Sequence, residues 1–182
     1  MSTPPAVEAV SIDGEHRFSK VPADEITLLA GIGVRGDAHA GVTVQHRSRV
    51  AVDPTQPNLR QVHLISVELL DELREDGFDV RPGQLGENIT TRGIPLLDLP
   101  RGALLRISED AVVRVTGLRN PCGQINDFRS GLLKRVVGYA PDGTVIRRAG
   151  VMGIVLAGGV VSPRDSITVE LPTGDHHRLE PV

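Results

Sequence analysis

The hydrophobic residues of this chain fall mainly in short runs, alternating or wholly apolar, punctuated by glycine, proline and aspartate. Val7 to Asp13 predicts an opening strand, and Glu25 to Val34 a less regular second one that ends in the glycine-rich stretch Gly31 to Asp37. Ala103 to Ser108 and Ala111 to Leu118 predict a β-hairpin around Glu109-Asp110, introduced by a turn at Leu99-Pro100-Arg101-Gly102. Gly150 to Val161 and Ser166 to Leu171 close the pattern as strands, after a turn at Ala140-Pro141-Asp142-Gly143. One segment is clearly helical in period. Following a strand at Gln61 to Ile65, Ser66 can cap a helix running to about Asp76, with Val67, Leu70 and Leu73 on one face and Gly77 as its stop. Gln124 to Val137 has helical spacing at Ile125, Phe128, Leu132, Leu133 and Val136, and Gly131 leaves one helix or two short pieces open. Between Ala38 and Arg60 the pattern dissolves into a polar loop, of a length that is characteristically functional or mobile. Pro172 to Val182 reads as a frayed tail with an exposed His176-His177 pair.

Composition turns this pattern into a fold class. Among 182 residues there are 20 Gly and 13 Pro but only three Phe, one Tyr and no Trp, so the core must be built from Val, Leu and Ile between many turns. That predicts one mainly β, barrel-like domain over residues 7–171 with a few short α-helices, flanked by tails at 1–6 and 172–182. A net charge of -3, the lack of any dense Lys/Arg block and the scarcity of aromatics argue against a nucleic-acid partner. No apolar run approaches the ~20 residues that span a bilayer, so no membrane partner is expected. Met1 to Val10 lacks the basic and apolar regions of a secretory signal, and a lone cysteine cannot form an internal disulfide; a cytoplasmic location is the expectation.

Four polar clusters interrupt the apolar framework: Gly36 to Gly41 with His39, then His46-Arg47-Ser48-Arg49, then Gly86 to Thr91 with Asn88, Thr90 and Thr91, and finally Arg119-Asn120-Pro121-Cys122. Taken singly, each has a bland reading. The first is a tight turn in which Asp37 bonds its own backbone, the second a solvated loop face, the third turn-and-strand chemistry, and His63 on its apolar strand a satisfied core histidine. Together they could line an anion-accepting pocket. Cys122 is the only cysteine and is delivered to the end of a strand, where a rigid scaffold presents functional groups. Arg119 and any helix beginning near Gln124 make its setting electropositive, which favours a thiolate; the alternative is an inert, buried small hydrophobe. No paired ligand spacing supports a zinc site. A single thiolate suits instead a metal already held by an organic ligand, and a cofactor-free nucleophile activated by His63 or His39 is a third possibility.

The segments Val34-Arg35-Gly36-Asp37-Ala38-His39-Ala40-Gly41, Gly83-Gln84-Leu85-Gly86-Glu87-Asn88-Ile89-Thr90-Thr91 and Thr116-Gly117-Leu118-Arg119-Asn120-Pro121-Cys122 occur in this order, and Gly150 to Gly159 supplies a matching closing strand and turn. In this the sequence resembles the MOSC domain, named after the C-terminal domain of molybdenum cofactor sulfurases. The resemblance implies a β-barrel-like fold that binds the molybdenum cofactor, a metal held by the dithiolene of a phosphorylated pterin. It implies Cys122 as metal ligand or sulfur acceptor, Arg119 and Asn120 in support of its turn, and Asn88, Thr90 and Thr91 along the pterin. His39, Arg47, Arg49 and His63 are then candidates for phosphate binding or proton delivery. The implied activity is two-electron reduction of N-hydroxylated or N-oxygenated small molecules with electrons from an external redox partner; the alternative is a non-catalytic carrier that exchanges cofactor or sulfur with another protein. Pyridoxal phosphate, used by the sulfurase domain of fused relatives, is not expected on this chain.

Overall fold

The computed structural model describes residues 4–182. The first third forms β1 (Ala6–Ile12), β2 (Val21–Ala23), β3 (Ile26–Leu29) and β4 (Gly33–Val34), followed by the short helix α1 (Arg47–Val50). Next come β5 (Val62–Ser66), α2 (Val67–Glu75), β6 (Ile89–Arg92), β7 (Leu104–Ile107) and β8 (Ala111–Leu118). The last third holds α3 (Gln124–Phe128), α4 (Leu133–Val136), β9 (Val137–Tyr139), β10 (Val145–Arg147), β11 (Val151–Ala157), β12 (Gly159–Val161) and β13 (Ile167–Glu170). The fold is β-dominated, as the apolar pattern predicts.

Eight strands form one sheet in the order β13-β7-β8-β11-β5-β6-β1-β2. Its curl brings the segment before the edge strand β13 back to β1, the strand next to the opposite edge. Ala6 in β1 bridges Ser166 ahead of β13, and Val7 N–H donates to Asp165 O at 2.8 Å while Arg164 N–H donates to Val7 O at 2.8 Å. The seam is one bridge rather than a ladder, so the sheet is barrel-like without full closure. β8 lies between two neighbours and is buried along almost its whole length, which its run of Val residues fits. The interior is Val, Leu and Ile from both halves of the chain, including Val10, Leu64, Ile89, Leu105, Val113 and Val151.

α2 is capped as expected: the Ser66 hydroxyl accepts from Leu69 N–H at 3.4 Å, the buried side is Val67, Leu69, Leu70 and Leu73, and Gly77 follows with φ 90°. It connects β5 to β6, the only parallel pair of the large sheet, as a helical crossover between parallel strands requires. With α3 and α4 it covers a second apolar cluster built on Ile65, Leu70, Leu85, Ile125 and Leu132.

Several segments differ from the sequence expectation. The strand over 25–34 is a hairpin, β3 and β4, because Gly31 at φ 71° reverses the chain. The helical period over 124–137 resolves into two pieces, with Gly131 at φ 86° between them. β2 and the β9–β10 hairpin carry no apolar alternation and escape a pattern search. The polar loop over 38–60 is organised rather than structureless: Thr43 bridges Pro57, and the Asn58 amide donates to His39 O at 2.9 Å and Gly41 O at 3.0 Å.

The tail reading is corrected as well. Pro181 pairs with Leu118 of β8, Leu118 N–H donates to Glu180 O at 2.8 Å, and Leu179 joins the main core, although His176 and His177 are exposed as expected. The segment lies so close to β8 that a Cβ on Gly117 would meet Glu180 O at 2.4 Å. A single leucine among polar residues gives no period, which is why the sequence hides this contact. Leu179→Ala is expected to destabilise the fold by about 2 kcal/mol in a urea titration, whereas a frayed tail would leave the midpoint unchanged.

Candidate functional site

Strand ends from distant parts of the chain meet at a cleft of ≈ 230 Å³. His63 enters from β5, Met152 from β11, Asn88 from the turn before β6, and Arg119, Asn120 and Cys122 from the turn after β8. The register of the sheet fixes part of this, since Met152 lies opposite both His63 and Gly117. The loop over 38–60 closes the other side with His39, Gln45, His46, Ser48, Arg49, Asn58 and Arg60.

Most residues singled out in the sequence therefore converge: His39, Arg49, His63, Asn88, Arg119, Asn120 and Cys122 all line the cleft. Arg47, Thr90 and Thr91 do not. Arg47 is exposed on α1. Thr90 and Thr91 are buried in β6, where Thr90 Oγ1 donates to Glu87 Oε1 at 3.2 Å. Two contributors, Arg60 and Lys20, carry no local signal: each is an isolated cation, and only the fold brings it to the cleft.

The floor is a buried polar network centred on Asp37. Its Oδ2 accepts from Lys20 Nζ at 2.6 Å and from the Asn88 amide at 2.9 Å, while Oδ1 accepts from His39 N–H at 2.9 Å. Burial alone would raise the Asp37 carboxyl, but the His39 hydrogen bond and the Lys20 charge outweigh it and hold it well below the usual carboxylate range. Asn88 in turn accepts His63 N–H on Oδ1 at 3.2 Å, so the network ties β5 to the turn before β6. The Gly-Asp-Ala-His segment is thus a tight turn with Asp37 bonding its own backbone and also the anchor of the site.

The walls are cationic. Arg49, Arg60 and Arg119 line the cleft, none makes a salt bridge among the described residues, and no carboxylate lines the cleft with them. Arg60 Nε and Arg119 Nη1 are buried with no hydrogen-bond partner. Burial and the neighbouring Arg49 and Arg119 charges lower the Arg60 guanidinium to about 10, and burial lowers Arg119 too. Arg119 also lies over the Phe18 ring, 5.5 Å from its centroid. In a chain of net charge -3, three unpaired guanidiniums around one cavity form a site prepared for an anion.

His63 and His46 are kept neutral by the same surroundings. Burial and then Arg119 hold His63 well below the ordinary imidazole value, and its Nε2 donates to Ala149 O at 2.8 Å, the satisfied core histidine of the bland reading. Burial, with Arg60, His39, Arg119 and Arg49, lowers His46 to about 4. Cys122 is half-buried at the mouth; its Sγ faces Gln124 Oε1 at 3.5 Å, and no histidine bonds it. A Cys–His nucleophile pair therefore lacks the contact it needs. Asn120 Oδ1 accepts from Arg147 Nε at 3.1 Å, which anchors the Cys122 turn to β10.

Comparison with known proteins bears on fold and family. Among solved structures, the YuaD protein from Bacillus subtilis superposes with a TM-score of 0.76 at 24% identity, over 93% of this chain and 97% of that one. YiiM from Escherichia coli gives 0.59 at 22% identity, over 94% and 73%, and YiiM from Geobacillus stearothermophilus gives 0.61 at 17%, over 92% and 75%. These likenesses concern the fold. No curated protein matches the chain significantly. The profile of the MOSC domain matches residues 38–168, a span that contains the Asp37-anchored loop, the Glu87-Asn88 turn and the Cys122 turn, and the chain belongs to the MOSC domain family.

Proposed function

We propose that the cleft binds the molybdenum cofactor, with the pterin phosphate held by Arg49, Arg60 and Arg119 and with Cys122 as the protein's ligand to the metal. The observation that carries this reading is the set of unpaired guanidiniums, two with orphaned N–H groups, beside the only thiol of the chain. The donor set fits the group: a soft sulfur for a metal that an organic dithiolene already holds, and hard cationic donors for a phosphate. Asn88, fixed by Asp37, and the Gly86 backbone supply neutral polar surface for the pterin in the same cleft. Bound, the cofactor would supply two-electron oxygen-atom chemistry, suited to reduction of N-hydroxylated or N-oxygenated compounds with electrons from an external partner. The chain's part is to hold phosphate-binding cations and a thiol in one cavity and to keep carboxylates out of it. The half-exposed position of Cys122 equally suits a carrier that hands cofactor or sulfur to a second protein; turnover with an artificial electron donor separates the two readings.

Expression in a cofactor-producing host tests the assignment. Wild-type protein is expected to hold near-stoichiometric molybdenum and pterin, and Cys122→Ser to lose most of the metal, by elemental analysis beside oxidised-pterin fluorescence. A Cys122→Ser protein with full molybdenum would overturn the ligand assignment, and wild type that takes up neither metal nor pterin would overturn the cofactor reading.

A further inference from the structure

His46 lines the cleft, and the proposed function leaves it without a role. It stands at the entry to α1, its ring 6.2 Å from that of His39, which in turn stacks on His16 at 5.4 Å with 19° between the planes. His46 and His39 line the cleft together with the unpaired arginines, the charges that act on His46 are Arg60, His39, Arg119 and Arg49, and Ser48 stands on its Nδ1 at 2.9 Å. Its Nε2 has no partner among the described residues. Beyond His39 lie Lys20 and Asp37, whose charges are spent on each other.

We propose that His46 makes this cleft selective for a doubly charged tetrahedral oxyanion, of the kind a phosphate monoester carries, by taking up a proton from solvent as the anion enters. This rests on the reading of the cleft as a phosphate site. The geometry allows both protonation states without breaking a contact. In the neutral ring the Ser48 hydroxyl donates to Nδ1 and Nε2 carries the proton; after uptake the hydroxyl rotates to accept from Nδ1–H, and Nε2–H keeps its proton on a ring that lines the cleft. No bond but N–H forms, and the proton comes from bulk water.

The field supplies the reason for the uptake. Without a ligand, burial and the surrounding cations disfavour a further positive charge and keep His46 neutral at physiological pH. A dianion among Arg49, Arg60 and Arg119 cancels two of their three charges and offers the protonated ring a charge-assisted hydrogen bond, and the ring returns toward its ordinary range. A single negative charge cancels only one of the three and gives a weaker drive. The site thereby acquires a fourth cationic donor that a dianion recruits more strongly than a monoanion.

Titration calorimetry with sodium sulfate, which remains a dianion throughout the neutral and mildly acid range, tests this directly. Near pH 6, in two buffers of different ionisation heat, binding to the wild type is expected to take up about one proton, and affinity is expected to rise toward about tenfold per pH unit on acidification. His46→Gln is expected to abolish the uptake and the acid-side rise, and to narrow the preference for sulfate over nitrate. In unmutated protein, the His46 ring resonance is expected to titrate near 4 alone and markedly higher with saturating sulfate. Sulfate binding without proton uptake, or uptake that survives His46→Gln, would overturn the inference and leave the cofactor reading intact. Absence of sulfate binding would overturn it too, while the pterin content of protein from the cofactor-producing host would still decide the cofactor reading on its own.

Discussion

Arg119→Met is expected to leave a protein that melts a few degrees higher than wild type yet binds sulfate or phosphate about 10–100-fold more weakly. Opposite signs follow from one fact. The Arg119 guanidinium is buried, forms no ion pair and leaves Nη1 unpartnered, so the folded protein bears the desolvation of a cation without the compensation of a counter-ion. Methionine fills much of the side chain's volume and removes that penalty, a gain of about 1–2 kcal/mol. Glu87, which lies in the field of Arg119 without bridging to it, is already pushed up by burial, and it can take a proton rather than remain an isolated anion. The cation–π contact with Phe18 is lost, which offsets about 0.5–1 kcal/mol of the gain. Affinity falls because a charged donor to an anion is worth more than its neutral replacement by roughly 1.5–3 kcal/mol. Thermal melts beside calorimetric anion titration check both halves. A variant that loses several kcal/mol of stability would make Arg119 a structural residue and remove the main support for an anion site. Arg60→Met is the parallel case, with a smaller stability change because Arg60 is less deeply buried.

The contrast between Arg119 and Arg60 shows where the sequence is legible. Arg119 stands three residues before the only cysteine, at the end of a strongly apolar strand, so local pattern alone marks it. Arg60 lies at the end of a polar stretch with no period, and only the return of the loop over 38–60, pinned by Asn58, carries it to the same cavity. Strand existence is legible wherever Val and Ile cluster, as in β1, β5, β8 and β11. It is hidden in β2, β9 and β10, where no side faces the core strongly enough to impose alternation. Thr90 and Thr91 illustrate the converse failure. Their hydroxyls suggest ligand contacts, but β6 is internal to the sheet and buries them both. His63 was readable in its bland form, because a histidine within Val-His-Leu-Ile on an interior strand must satisfy a ring nitrogen inside the protein, as Ala149 O does here.

Asp37→Asn is expected to be the most destabilising polar substitution at the site, by about 3–5 kcal/mol, because it leaves Lys20 charged and enclosed. The Lys20 side chain is 3% exposed and Asp37 0% exposed, so neither can turn to water when its partner is removed. The asparagine also presents an N–H group where Lys20 Nζ, the Asn88 amide and His39 N–H all need acceptors. The pH dependence has a definite sign. The folded-state pKa of Asp37 lies below its ordinary value of 3.8, so its stabilising contribution is fully present above about pH 5. That contribution is lost as the pH falls below 3.8 toward the depressed folded value. The wild-type advantage over Asp37→Asn should therefore stay level from pH 8 to about 5 and shrink only in stronger acid, in urea melts across that range. Lys20→Met combined with Asp37→Asn removes the stranded charge, and it is expected to recover a substantial part of the loss. Recovery without return of anion binding would show that the pair has two separable functions, neutralising itself and positioning Asn88 and His39; full return of binding would reduce it to the first.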